Sequence, residues 1–296
     1  MQRERVSENV YWFQSEIYAQ VTAGVVTGPK WAIVIDTLPV PEETLAMRSF
    51  IEDQLDVPVQ YIINTHYHAD HTWGNYIFPG ATIISHELCR QLQMLHGPAS
   101  LEAAQHQNPI FRSVKLVYPQ LTFESGSLSL RVGKKNLTLF PTPGHSADGI
   151  SVLVEEDRVL FAADAFLPIP YFINGDIDVL IDTIQSFSDL GLENIVQGHG
   201  DIILRGEIDE SIRANVNYLK TLKTKVRAAL KTNNPLKAAS EIDVVSCGKE
   251  PVLLAGLGDT LHTNNVRWLL SQYAAEAGFE LKDLPVDDYD DDIVDE

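Results

Sequence analysis

The stretch Val59-Gln60-Tyr61-Ile62-Ile63-Asn64-Thr65-His66-Tyr67-His68-Ala69-Asp70-His71 joins an apolar, β-favouring run to a dense group of metal-binding side chains. A short run rich in β-branched and aromatic residues reads as a buried strand. The group therefore begins where a strand ends, and loops at strand ends are where α/β enzymes commonly carry function. His66 and His68 are two apart and reach one metal from the same side of an extended loop. Asp70 and His71 come after the chain has turned and face a second position. Imidazole suits zinc, iron and similar borderline metals, while carboxylate adds charge and bridges or orients water. Unrelated polar loop residues are the competing reading, and three histidines with an aspartate inside six residues argue against it.

Working outward, two further segments and one acid complete the set. They are Pro143-Gly144-His145-Ser146, Gly198-His199-Gly200 and, between them, Asp164 in Phe161-Ala162-Ala163-Asp164. Five of the nine histidines fall in these three segments. The candidate ligands are then His66, His68, Asp70, His71, His145, Asp164 and His199, enough for two metal ions and a bridging water. The other histidines carry blander expectations: His86 follows a strand and opens a helix, and His96, His106 and His262 lack ligand neighbours.

The flanking sequence predicts two similar halves. Residues 21–27 and 31–36 read as paired strands, residues 41–55 as a helix with proline in its first turn, and residues 81–85 as a strand followed by helix from 87 to about 95. In the second half, residues 137–140 lead to His145, residues 151–155 and 159–162 pair and lead to Asp164, residues 183–190 form a helix, and residues 194–197 lead to His199. Residues 207–231 and about 264–277 read as C-terminal helices. Strands that each end at a candidate ligand place the site along one sheet edge. Periodicity alone gives only an α/β class.

The pattern His-x-His-x-Asp-His, then Pro-Gly-His, then Asp, then Gly-His-Gly resembles the metallo-β-lactamase superfamily in its dinuclear form, over roughly residues 10 to 205. The resemblance implies a four-layer αββα metallo-β-lactamase sandwich. It also implies that His66, His68 and His145 hold a first metal, that Asp70, His71 and His199 hold a second, and that Asp164 bridges them. His at 68 in place of Glu points away from the di-iron flavoprotein branch. Asp at 164 points away from the antibiotic-hydrolysing members and toward the glyoxalase II, lactonase and phosphodiesterase branches. No basic cluster in the C-terminal helices matches a glutathione site.

The implied chemistry is metal-assisted hydrolysis of an ester, thioester or lactone. Two divalent ions about 3.5–4 Å apart share a water and lower its pKa toward about 7. Zinc is the expected metal, with iron or manganese as alternatives. Asp70 is the candidate catalytic residue: it aims the attacking hydroxide and carries the proton to the leaving group. Tyr67, Trp73, Phe166 and Tyr171 are candidate substrate contacts, each with plain packing as its rival role. The stretch 96–118 has mixed helical and loop character and is a candidate cap over the site. A mononuclear iron enzyme of the persulfide dioxygenase type and a non-catalytic binding protein on the same fold are the alternatives.

Composition fits one enzyme domain with a small-molecule substrate. The chain has 296 residues, 45% of them hydrophobic, and a net charge of −19. Residues 1–282 are expected to form one domain with C-terminal helices, which pad the sandwich or form a homodimer contact. Residues 283–296 hold eight acids and no base, and such a block reads as a solvated, disordered tail. An acidic chain repels phosphate backbones, so no nucleic-acid partner is expected. No apolar run reaches about 18 residues, so no membrane span is expected. No apolar stretch follows Met1-Gln2-Arg3-Glu4-Arg5, so no secretory signal is expected. The only cysteines, Cys89 and Cys247, lack metal-ligand spacing and read as buried thiols, which suits a cytoplasmic location.

Overall fold

Buried apolar strands dominate both halves of the computed structural model, which describes residues 1–278. The expected acidic tail therefore lies outside the described residues. In chain order the first half contains β1 (Gln2–Ser7), β2 (Val10–Gln14), β3 (Thr22–Thr27), β4 (Ala32–Ile35), α1 (Pro41–Ser49), β5 (Val59–Ile63), α2 (Ala69–Thr72), β6 (Thr82–His86), α3 (Glu87–Gln107) and β7 (Leu121–Phe123). The second half contains β8 (Leu128–Val132), β9 (Lys135–Pro141), β10 (Ile150–Val154), β11 (Val159–Ala163), α4 (Ile177–Ser186), β12 (Asn194–Gln197) and β13 (Ile203–Leu204). Three helices follow: α5 (Ile208–Leu230), α6 (Pro235–Ser240) and α7 (Gly258–Glu276).

The first sheet runs β1-β2-β3-β4-β5-β6-β7 and the second runs β13-β12-β11-β10-β9-β8. β4 to β7 are mutually parallel, as are β11 and β12, and the other pairs are antiparallel. Strands buried on both faces read as continuous apolar runs, and β4, β10 and β11 are buried at every residue. β1, QRERVS, is an exposed edge strand whose charges discourage further pairing.

The core divides into layers. Trp12, Ile33, Ile35 and Ile63 of the first sheet meet Leu137, Leu139, Val152 and Phe161 of the second in the central layer. The outer face of the first sheet packs through Val25, Val34 and Ile62 on Met47 and on Phe50–Ile51 just beyond α1. The outer face of the second sheet packs through Leu160, Ala162 and Ile195 on α4, α5 and α7. This is the expected αββα arrangement. α5 buries Ile212, Val216, Leu219, Leu222 and Val226, the positions whose spacing marks it as helical.

Local signals misplace two helices. α3 continues through Gly97-Pro98 to Gln107, well past the expected stop near residue 95. A proline interrupts the helix ladder, but Leu101 and Ala104 beyond it pack on Trp73, Phe111 and Val114, and that burial holds the helix together. α4 starts at Ile177 rather than near 183, because the Asp176 side chain accepts from the backbone N–H groups of Asp178 and Val179. His86 caps α3 by accepting from the Leu88 N–H, in line with its bland reading. Cys89 and Cys247 are free and buried. Among the described residues no helix is long and apolar enough to cross a membrane.

Candidate metal centre

Each of the four candidate loops leaves the end of a strand, wholly buried in β11 and nearly so in β12. Beyond β5, Asn64 and Thr65 lead into His66-Tyr67-His68. His68 is extended (φ −61°, ψ 149°) and opens the single turn of α2, which swings Asp70 and His71 to the far side of the site. His145 lies between β9 and β10, Asp164 directly follows β11, and His199 follows β12 after Gly198. His199 also forms an isolated bridge with Val21 beside β3.

Two glycines are dictated by this crowding. A Cβ on Gly198 would stand 1.8 Å from Asp164 Oδ1, so any side chain there displaces the carboxylate. Gly144 has φ +131° and a Cβ on it would stand 2.4 Å from Leu180 Cα, so the loop that presents His145 rests directly on α4.

The seven side chains fall into two groups. His66, His68, His145 and Asp164 converge on one point, and Asp70, His71 and His199 on a second. His68 Nδ1 lies 3.0 Å from His66 Nε2 and 2.9 Å from His145 Nε2. Asp164 Oδ2 lies 3.4 Å from His145 Nε2 and 3.8 Å from His66 Nε2. Zinc with arms of about 2.05 Å has ligand–ligand edges of about 3.3 Å when tetrahedral, and these four edges bracket that value. In the second group His199 Nε2 lies 3.2 Å and His71 Nε2 3.7 Å from Asp70 Oδ2. Asp164 turns its other oxygen to this side, Oδ1 at 3.1 Å from His71 Nε2, and so faces both points. Six of the seven are buried and Asp70 is half-buried.

The outward ring nitrogens fix what the inward ones present. His71 Nδ1 is 2.9 Å from Asp36 Oδ2, His145 Nδ1 2.8 Å from the Tyr171 carbonyl, and His199 Nδ1 2.8 Å from the Ala19 carbonyl. Each of these partners accepts, so each ring donates its Nδ1–H outward and turns an Nε2 lone pair inward. His66 follows suit: the Thr65 hydroxyl donates to Asp36 Oδ2 at 2.7 Å and so accepts from His66 Nδ1 at 3.0 Å. With these rings neutral, four lone pairs and a carboxylate thus face one interior. His71 Nε2 and Asp164 Oδ1 are both buried without a hydrogen-bond partner. A divalent cation satisfies such a set.

Titration behaviour separates the groups. Burial lowers the pKa of His66, His68 and His145. Burial also disfavours charge on His71, but Asp70, Asp164 and Asp36 outweigh it and raise the ring well above its ordinary value. His199 is raised as well, since Asp164 and Asp70 outweigh its burial. Asp164 is buried too, and His71, His199 and His145 hold it well below the usual carboxylate range. In the absence of metal, a proton on the second group takes the cation's place.

Asp36 escaped the sequence reading. It closes the wholly buried strand β4, has φ +57°, and accepts from the Thr65 N–H at 2.9 Å as well as from Thr65 Oγ1 and His71. An acid ending an all-apolar strand was its one available signal. Behind it, Asn64 and Asn75 exchange side-chain hydrogen bonds of 3.0 and 2.9 Å, and Asn75 also donates to the Val117 carbonyl. This amide pair ties the metal loop to the segment after α3.

The four aromatic candidates divide. Tyr67 is half-buried with its ring 4.3 Å from that of His68 and 5.9 Å from that of His96. Trp73 packs on Phe111 at 5.0 Å, and it lines with Tyr67 and Gln93 a small cavity of about 20 Å³. Tyr171 serves His145 through its backbone carbonyl, its ring 6.3 Å away. Phe166 is 1% exposed with its ring 6.2 Å from Phe187 in the helical core, and it also lines a cavity of about 340 Å³ beside the metal-binding loops. The expected cap, residues 96–118, is in large part the end of α3, which packs on Trp73.

Comparison with known proteins identifies the family and the fold. A family model described as "Metallo-beta-lactamase superfamily" matches residues 18–229. A beta-lactamase-like protein 2 homolog from Caenorhabditis elegans is 22% identical over 223 residues, 74% of this chain and 67% of that protein. The thioesterase pkgB of Emericella nidulans is 25% identical over 173 residues, 58% of this chain and 43% of that protein, so the match spans less than half of that relative. A crystal structure of a metallo-beta-lactamase family protein from Thermus thermophilus superposes with a TM-score of 0.66 at 18% identity, covering 93% of this chain and 95% of that one. At that identity the likeness concerns the fold alone.

Proposed function

The chain belongs to the metallo-beta-lactamase superfamily, and from that premise we propose that it is a metal-dependent hydrolase of an ester, thioester or lactone, using two divalent ions, with zinc as the first choice. The observation that carries this reading is the set of four imidazoles whose outer nitrogens are all engaged and whose inner lone pairs surround Asp164. A relative named as a thioesterase supports the substrate class.

Divalent ions held there supply Lewis acidity toward a substrate carbonyl and acidify water to near-neutral pKa. The protein's own groups do the rest. Asp36, Thr65 and the carbonyls of Ala19 and Tyr171 hold the imidazole rings in fixed orientation, so little reorganisation is needed during the reaction. Asp70 is the ligand-group acid with most access to the outside, 13% of its side chain being exposed. It is also ionised: burial raises its pKa, but His71 and His199 hold it below the ordinary carboxylate range. An ionised, accessible carboxylate accepts a hydrogen bond from the attacking water, takes its proton and delivers it to the leaving oxygen or sulfur.

The test is a hydrolysis panel of lactones, acyl thioesters, aryl esters and phosphodiesters with protein reconstituted in zinc, manganese or iron(II). Cleavage of a carbonyl substrate that disappears on chelation and returns with metal is the expected result. Cleavage of phosphodiesters alone refutes the substrate class. Oxygen consumption with iron(II) and a persulfide, without hydrolysis, replaces the reading with the oxygenase alternative.

A further inference from the structure

A larger cavity, of about 340 Å³, opens beside the metal-binding loops. One wall is the segment that leaves the site: Pro168, four residues past Asp164, and Gly200, directly after His199. The opposite wall is α5 and the segment before α7, where Leu253 and Leu254 present apolar surface. Lys249 is the only base in the lining. Its Nζ donates to Asn215 Oδ1 at 2.5 Å, and Asn215 is itself buried and anchored by donating to the Leu167 carbonyl at 3.0 Å. Among the described residues no carboxylate lies within 4.0 Å of that ammonium.

An ammonium half-buried in a partly apolar cavity is bound by one neutral acceptor, and no carboxylate among the described residues offsets its charge at contact distance, so an anionic group reaching it gains a charge-assisted hydrogen bond. Burial lowers its pKa to about 8, which still leaves it largely protonated at neutral pH. Two acids, Asp201 and Glu210, also line the cavity, and both are exposed residues at its mouth. They disfavour ligands with several negative charges, as does the chain's net charge of −19. The deeper ammonium and the apolar lining together suit a single small anion carried on an apolar body.

We propose that this cavity is a carboxylate-binding subsite: it takes an amphiphilic monocarboxylate, with the carboxylate on Lys249 and the apolar body against Pro168, Leu253 and Leu254. Its part in turnover, holding one end of the substrate while the scissile bond lies at the metal centre, rests on the hydrolase reading. The binding itself does not.

The test is calorimetric titration of the full chain with octanoate and with octanol, both metal-loaded and after chelation. Octanoate is expected to bind at least about tenfold more tightly than octanol in both forms. Lys249→Met removes that preference and leaves octanol binding in place, whereas Lys249→Arg keeps it. Ala214→Leu, which narrows the cavity from α5, weakens both ligands. A preference that survives Lys249→Met, or that vanishes on chelation, overturns the proposal. A paired assay uses an acyl thioester bearing a terminal carboxylate and its methyl ester. The acid form is expected to have the higher kcat/KM, with the advantage lost through KM in Lys249→Met. If neither thioester is cleaved while the Lys249-dependent preference stands, the hydrolase reading fails and the subsite survives. If both are cleaved equally and the preference is absent, the subsite fails and the hydrolase reading survives.

Discussion

Replacing Asp36 by Asn removes one acceptor from the second metal site without changing the shape of the residue. Asp36 is 3% exposed and receives three hydrogen bonds, from the Thr65 N–H on Oδ1 and from Thr65 Oγ1 and His71 Nδ1 on Oδ2. An asparagine keeps the first through its remaining oxygen but offers a donor where Oδ2 stood. His71 then has two options. It can keep its Nδ1–H, which is left buried and unpaired at about 1–3 kcal/mol. Alternatively it moves the proton to Nε2, which faces Asp164 Oδ1 at 3.1 Å, and loses the lone pair needed for metal. Loss of such an outer partner typically weakens metal binding about 10- to 100-fold, or about 1.4–2.8 kcal/mol. The loss is expected to be larger at the Asp70–His71–His199 site, whose His71 contacts Asp36 directly. At the first site the change reaches His66 only indirectly, through the Thr65 hydroxyl that loses its Asp36 acceptor, and His145 is still held by Tyr171. Competition titration with a chromophoric zinc chelator, fitted to two sites, reads this directly. Equal weakening of both sites, or none at either, refutes the reasoning.

Three further outcomes follow from the same geometry. Asp70→Ala is expected to cut turnover by about 10²- to 10⁴-fold, the usual range for removing a general acid–base, with circular dichroism unchanged; near-normal kcat removes its assigned role. Gly198→Ala places a methyl group where Asp164 Oδ1 now lies, so metal content should fall below that of the wild type while Gly206→Ala, an open position, leaves it intact; wild-type metal content in the first variant contradicts the close approach. On acidification the second site should empty first. Protons compete with metal for imidazole, His71 and His199 bind protons more tightly than an ordinary histidine (about 6.5) and His66, His68 and His145 less tightly. Dialysis at decreasing pH should therefore pass through a one-metal form, and loss of both ions together, or of the His66 site first, counts against the assignment.

The ligand loops were legible because each follows a short β-favouring run, Val59–Ile63, Val159–Ala163 and Asn194–Gln197 among them. The parts that were not legible owe their structure to contacts distant in sequence. The strand Gln2–Ser7 is charged and exposed, and it is a strand only because Val10–Gln14 pairs with it. The helix beyond Pro98 persists because Trp73 and Phe111 cover it. Asp36 sits 35 residues before His71, and only the parallel pairing of β4 with β5 brings the two together. The aromatic candidates show the same limit: nearness in sequence to Asp164 suggests Phe166 as a substrate contact, but only the fold shows it packed in the helical core and lining the cavity beside Lys249.

Metal content per chain, measured by mass spectrometry on protein purified without added metal and again after zinc reconstitution, tests the central claim most directly, with Asp164→Ala as control. The two converging ligand groups predict close to two ions per wild-type chain after reconstitution and fewer in the variant, since Asp164 faces both. One ion at most in the reconstituted wild type, or a content indifferent to Asp164, contradicts the dinuclear centre.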